Sequence, residues 1–232
     1  MKKIFILMIL LISCKSFSAL PFMIGVEGGY TLNQLNTSTG YRYFTEYRNR
    51  SGFLIGIPVH IPLNVPMPLN GNFALGSGLR YIQKNYTYER TFPNTILPYP
   101  VYSDYTNGFL QLPIFADFSL GKNKSRVFLD LGMTFDFWLH SNRQGNLLGL
   151  GLSPISFNER AEFNSIRDKR LQAALLAGLG YRYVLREITS FVSVGYHYGL
   201  TDMQKNYMER GQIARYNNTF AVNAGFLFGR LR

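Results

Sequence analysis

The stretch "WLHSN" at 138–142 places His140 directly beside Ser141. An imidazole in hydrogen-bond reach of a hydroxyl can take its proton and make it a nucleophile for acyl transfer. On a continuing strand, however, adjacent residues point to opposite faces, so His140 could not polarise Ser141. The pair therefore reads as a polar entry into a loop. His60 and His197 are the other two histidines. Imidazoles ligate metals, usually with further His, Cys or carboxylate partners. Here the two lie on different segments at different depths, with no cysteine nearby, and are expected to line an interior as hydrogen-bonded groups. Glu27, Arg80, Asp117, Asp130 and Arg182 fall on the same face of their segments as His60 and His197. Together these seven form an expected interior polar cluster, with no catalytic residue, metal or cofactor. "GLRY" and "GLGYRY" carry strand periodicity on both sides of their glycines, so neither is a nucleotide-binding loop.

The elements that must position these groups are strands. In "FLQLPIFADFSL" (109–120), Leu110, Leu112, Ile114, Ala116, Phe118 and Leu120 alternate with Phe109, Gln111, Pro113, Phe115, Asp117 and Ser119. Alternation of this kind puts one set on each face of a strand. It recurs in eight segments, beginning near residues 24, 53, 73, 109, 127, 172, 191 and 220. No helical period of 3.6 competes with it. The connections alternate too: long at 36–51, 85–107, 140–170 and 201–218, shorter at 63–72, 121–125 and 185–188. In an antiparallel meander the long set shares one end. Long external loops and short periplasmic turns mark an outer-membrane barrel.

The two faces settle which side is inside. One carries glycine, alanine and scattered charges; the other carries aliphatic and aromatic side chains. Eight strands enclose only a narrow interior, which the large set would overfill. The small and charged set therefore points inward and the apolar set meets lipid. Tyr30, Phe53, Tyr81, Phe135, Phe137, Tyr196 and Phe220 form a belt toward the long loops. Phe73, Phe118, Tyr181, Tyr183, Phe226 and Phe228 form another toward the turns. The fold class expected is all-β, an eight-stranded antiparallel up-and-down transmembrane β-barrel. If Leu120 pairs with Val127 across the short turn, Asp117 stands opposite Asp130 inside, and either a cation must sit nearby or one carboxyl must stay protonated. Arg80 and Arg182, on the flanking segments, are the candidates, and the interior is expected to be plugged.

Lys2 and Lys3 precede an apolar run from Ile4 to Ile12, the pattern of an export signal. The run is too short to span a bilayer as a helix. Cleavage before Ala19 leaves 19–232 as one barrel domain. The alternative is a lipobox at Leu11–Cys14, with Cys14 lipidated; Cys14 is the only cysteine, so neither reading leaves a disulfide. The net charge is +11, but the basic residues are scattered, without a basic run or helix face, which argues against nucleic acid.

"IGVEGGYTLN", "FLQLPIFADF", "LAGLGYRY" and "VSVGYHYGLTDM" resemble the PorT-like outer-membrane β-barrels of Bacteroidota over residues 22–230. The resemblance implies a cell outer-membrane location and an envelope role. One family member is linked to a secretion machine, and no binding residue carries over by position. Other eight-stranded barrels deacylate lipid A with a His and a Ser two residues apart, a spacing that His140 and Ser141 lack. The loops carry Tyr41, Tyr43, Phe44, Tyr47, Tyr86, Tyr88, Tyr99, Tyr102 and Tyr105, with Arg42, Arg48 and Arg50 among them. Tyrosine and arginine suit both partner recognition and contact with lipopolysaccharide phosphates. The expectation is a monomeric, non-catalytic barrel, structural or binding a ligand or partner through its four long external loops, in contact with outer-membrane lipid, lipopolysaccharide or another envelope protein; the alternatives are a lipid-modifying barrel enzyme and an accessory component of an envelope secretion machine.

Overall fold

The computed structural model describes residues 22–37, 45–63, 71–90, 101–122, 124–148, 154–164, 168–203 and 215–229. The expected export signal, Cys14, Tyr41, Arg42, Tyr43, Phe44 and Tyr99 lie outside them. Ten strands occupy the described residues: β1 (Met23–Thr37), β2 (Thr45–Leu63), β3 (Asn72–Gln83), β4 (Tyr86–Arg90), β5 (Val101–Lys122), β6 (Ser125–Leu148), β7 (Pro154–Arg160), β8 (Leu171–Leu185), β9 (Ile188–Gly199) and β10 (Arg215–Phe228). All pairing is antiparallel. β2 pairs both β3 and β4, and β5 pairs both in turn. β6 pairs β5 on one side and β7 and β8 on the other. β10 pairs β9 and β1, which closes the sheet into a ring. The ring therefore has eight staves, as the alternation predicts, with β3–β4 and β7–β8 each forming one.

Burial follows parity. Along β6, Val127, Leu129, Leu131, Met133, Phe135 and Phe137 are exposed, while Phe128, Thr134, Asp136 and Trp138 are buried. The ten steps from Val127 to Phe137 make about 33 Å of strand, which at a tilt of about 40° rises about 25 Å. That is the height of an outer-membrane apolar band. Interior crowding is relieved by glycine. A Cβ at Gly76 would strike the Phe115 ring, and one at Gly180 the Phe128 ring. Gly78 adopts a φ of 154°, a region that favours glycine, opposite Pro58. Pro58 and Pro113 lack N–H groups, and Ser77 Oγ donates to the Pro113 carbonyl at 3.0 Å.

The staves run farther than the apolar alternation. Parts of 85–107 and 140–170, expected as loops, are β4, the first turns of β5, the top of β6 and β7. Above the membrane both faces are wet, so hydrophobic alternation fades while backbone pairing continues. β5 and β6 hold 22 and 24 residues, about twice what a spanning strand needs. The surplus stands above the bilayer as an extended wall.

Candidate functional site

The interior polar groups stack in layers. Near the short turns, Asp117 is paired directly with Asp130 in the β5–β6 ladder, and Leu120 with Val127. Arg182, from β8, grips Asp117 with both terminal nitrogens: Nη1 reaches Oδ1 at 3.0 Å and Nη2 bonds Oδ2. Its guanidinium lies over the Phe128 ring, 3.9 Å from the centroid. His60 Nδ1 lies 2.9 Å from Asp117 Oδ2. Asp130 Oδ1 has no hydrogen-bond partner among the described residues.

Arg80 goes elsewhere. Its Nε and Nη2 meet the two carboxylate oxygens of Glu27 at 2.5 and 3.2 Å. Glu27, Gly56 and Arg80 share one row across β1, β2 and β3. A Cβ on Gly56 would lie 2.7 Å from Arg80 Cγ and 3.0 Å from Glu27 Oε1, so the glycine makes room for the pair. The expectation that Arg80 joins Arg182 on the aspartate pair is thus corrected: among the described residues Arg182 is the one arginine bonded to Asp117, with His60 beside it. The space left among Glu27, His60, Arg80, Asp130, Arg182 and Ser193 is about 20 Å³, room for about one water.

Farther toward the long-loop end, Lys84 Nζ meets Asp136 Oδ2 at 2.6 Å, and Gln111 Nε2 donates to Asp136 Oδ1 at 2.7 Å. His197 belongs to this layer, 3.3 Å from Gln111 Nε2. His60 and His197 are therefore held in separate layers. Lys84 and Asp136 are absent from the sequence-derived cluster, although the inward even parity of β3 extends through Ile82 to Lys84 and would have found the lysine. Above them, Asn33, Asn217, Gln172 and Thr219 are joined by side-chain hydrogen bonds of 2.8 to 3.2 Å.

A lid of apolar side chains caps these layers. Phe109 and Trp138 stack 5.7 Å apart, and Leu54, Ile82 and Met203 pack with them. A bulge between Gly108 and Phe109 leaves Leu139 as an extra residue, so that Gly108 pairs with His140 and Phe109 with Trp138. The extra residue inverts parity on β6. Ser141 turns inward and is buried, while His140 meets the hydroxyl of outward Tyr81 at 3.0 Å. His140 and Ser141 thus lie on opposite faces of the wall, as their adjacency predicts.

Above the lid, the extended wall encloses a chamber of about 350 Å³. Tyr47, Tyr86, Tyr88, Tyr105, Trp138 and Phe163 supply its rings, and Ser141, Glu162, Asp168 and Arg215 its polar groups. Tyr86 and Tyr105 stack with centroids 4.8 Å apart, and Tyr47 contacts Tyr86 and Tyr88. Burial pushes the Tyr86 phenol well up from its ordinary range. Burial raises Tyr47 as well, against an opposing pull from Arg215. Both phenols stay protonated at neutral pH and can donate. Four of the tyrosines expected in loops, Tyr47, Tyr86, Tyr88 and Tyr105, lie instead on paired strands, as does Tyr102, which is exposed on β5. Arg48 bonds Glu89 at 3.0 Å on the exterior, and Arg50 reaches Thr106 at 3.4 Å.

No curated protein matches the chain in sequence. Among solved structures it is similar to Neisserial surface protein A, at 12% identity and a TM-score of 0.44, over 90% of this chain and 97% of that one. Ail, the attachment invasion locus protein of Yersinia pestis, solved with the heparin analogue sucrose octasulfate, is 11% identical with a TM-score of 0.38, over 90% of this chain and 100% of that one. The N-terminal β-barrel domain of Pseudomonas aeruginosa OprF is 11% identical with a TM-score of 0.33, over 89% and 97%. A family model described as an outer membrane protein beta-barrel domain matches residues 15–205, most of the chain. With its closed ring, outward apolar band and charged interior, the chain belongs to the outer membrane protein β-barrel domain family, and its place is the outer membrane.

Proposed function

We propose that this protein is a non-catalytic binding barrel that works at its external end. The observation that carries the reading is the aromatic chamber at the long-loop end, separated by the Phe109–Trp138 lid from an interior filled with paired charges. Such an arrangement offers a site and no route. Tyrosine, tryptophan and arginine are the residue types that dominate recognition surfaces. Residues 1–18 serve as the export signal, and residues 19–232 form the mature barrel, acting as a monomer in contact with outer-membrane lipid and lipopolysaccharide. The PorT-like motifs support an envelope partner as a further occupant of the external end.

The rival reading is a lipid-modifying enzyme. A hydrolase of that kind needs a base within reach of its nucleophile. His140 is instead engaged with Tyr81 on the outer face while Ser141 lines the chamber. Mass spectra of lipid A from cells with and without the protein are expected to be identical. A missing or added acyl chain that depends on the protein, and on Ser141, would establish the enzyme reading instead.

A further inference from the structure

We propose that the outer chamber takes a small, diffusible, ring-bearing anion, such as an aromatic or sugar phosphate. The inference rests on the binding reading above and gives that site its ligand chemistry. Three guanidiniums stand over rings that line the chamber. Arg215 lies 5.9 Å from the Tyr47 centroid, Arg143 lies 5.8 Å from that of Tyr105, and Arg170 lies 4.6 Å from that of Phe163. Stacking on an aromatic face holds a guanidinium in one plane and leaves its edge free to fork onto an oxyanion.

Two of these edges are incompletely used. The Nε atoms of Arg143 and Arg215 are buried and have no hydrogen-bond partner among the described residues. Arg215 itself lines the chamber. A buried donor without a partner carries a desolvation penalty, which an arriving acceptor removes. Arg143 Nη1 lies 3.7 Å from Glu159 Oε1 and Nη2 donates to Ser103 Oγ at 3.3 Å, and the Arg215 backbone N–H donates to Asp202 Oδ1 at 3.0 Å, but neither Nε is engaged among the described residues. Asp168 accepts the Asn164 N–H at 2.8 Å, and Glu162 is exposed. The rings that line the chamber offer the other half of the ligand an aromatic wall. A volume of about 350 Å³ lies at the small end of ligand sites, which fits a single ring with one charged group. The chamber is walled by inward-facing residues, so its ligand arrives from water and not from the bilayer.

Trp138 is the only tryptophan in the chain and lines the chamber, so its emission reports occupancy directly. The full mature chain, folded in maltoside micelles, is titrated with phenyl phosphate, inorganic phosphate and phenyltrimethylammonium. Phenyl phosphate is expected to change Trp138 emission saturably, and to bind more tightly than inorganic phosphate. Arg215→Gln, whose backbone pairing with Thr37 persists, is expected to weaken it roughly tenfold or more. Heat-dependent gel mobility checks that the variant is folded, and Arg143→Gln provides a second variant with the same expected direction. Preference for phenyltrimethylammonium, or equal affinity in wild type and both variants, would overturn the anion assignment while leaving a binding chamber in place. Equal affinity for phenyl and inorganic phosphate would overturn the ring requirement. No response to any of the three would overturn the chamber as a small-ligand site, while binding of lipopolysaccharide or an envelope partner at the external end is read separately, by co-purification from gently extracted membranes.

Discussion

Replacing Arg182 by leucine is expected to destabilise the barrel by about 3–5 kcal/mol, the cost of stranding one partner of a buried ion pair. The side chains of Arg182 and Asp117 are 2% and 1% exposed. Without the guanidinium, Asp117 would face Asp130 directly across the β5–β6 ladder with no cation bonded to it. Like charges placed opposite each other repel, and the low-dielectric interior strengthens the repulsion. Adding Asp117→Asn removes the stranded charge and should recover much of the loss. The readout is the urea midpoint of unfolding in detergent micelles, followed by the mobility difference between unheated and boiled samples. An unchanged midpoint for Arg182→Leu would show that the pair carries no weight. Arg80→Leu differs in its remedy: its stranded partner is Glu27, so Glu27→Gln, and not a change at Asp117 or Asp130, should restore it.

The second large effect lies on the opposite face. Leu131 is 45% exposed in the middle of the β6 apolar stripe, and that exposure is to hydrocarbon. Leu131→Arg should cost about 2–4 kcal/mol, the penalty for a cation at the bilayer midplane, whereas charge near the interface costs about 0–1. Leu171→Arg, at the upper end of the stripe on β8, is the matched control, since Leu171 pairs with Phe137 at its rim. Equilibrium unfolding from lipid vesicles separates the two. Equal, small costs at both positions would mean that Leu131 does not face lipid.

Much of this fold was legible because a membrane imposes a strict rule on every stave. Hydrocarbon outside and a narrow interior force large apolar residues onto one parity and small or charged ones onto the other. Val127 to Phe137 obey that rule except at Phe128, a buried ring that lies under the Arg182 guanidinium. The short turn between β5 and β6 also made the Asp117–Asp130 pairing readable, since few residues separate the two strands and register follows the turn. Three features were hidden for physical reasons. The walls above the bilayer are wet on both sides, so alternation in Tyr86–Arg90 and Pro154–Arg160 is limited to Tyr86 with Tyr88 and Ile155 with Phe157, too brief a run to announce a strand. The row that joins Glu27 to Arg80 through Gly56 depends on the β1–β2 register, and the long connection at 36–51 leaves that register open. The bulge at Leu139 is a single extra residue in the pairing, invisible to a pattern of period two, yet it decides that Ser141 and not His140 enters the chamber.

The binding barrel proposed above ends in a blind chamber and passes nothing through. Planar-bilayer recording of the purified, folded protein tests this most directly. The paired layers of Glu27 with Arg80, Asp117 with Arg182 and Asp136 with Lys84, under the Phe109–Trp138 lid, predict insertion without steady conductance. A stable, porin-sized conductance step on each insertion would contradict the account.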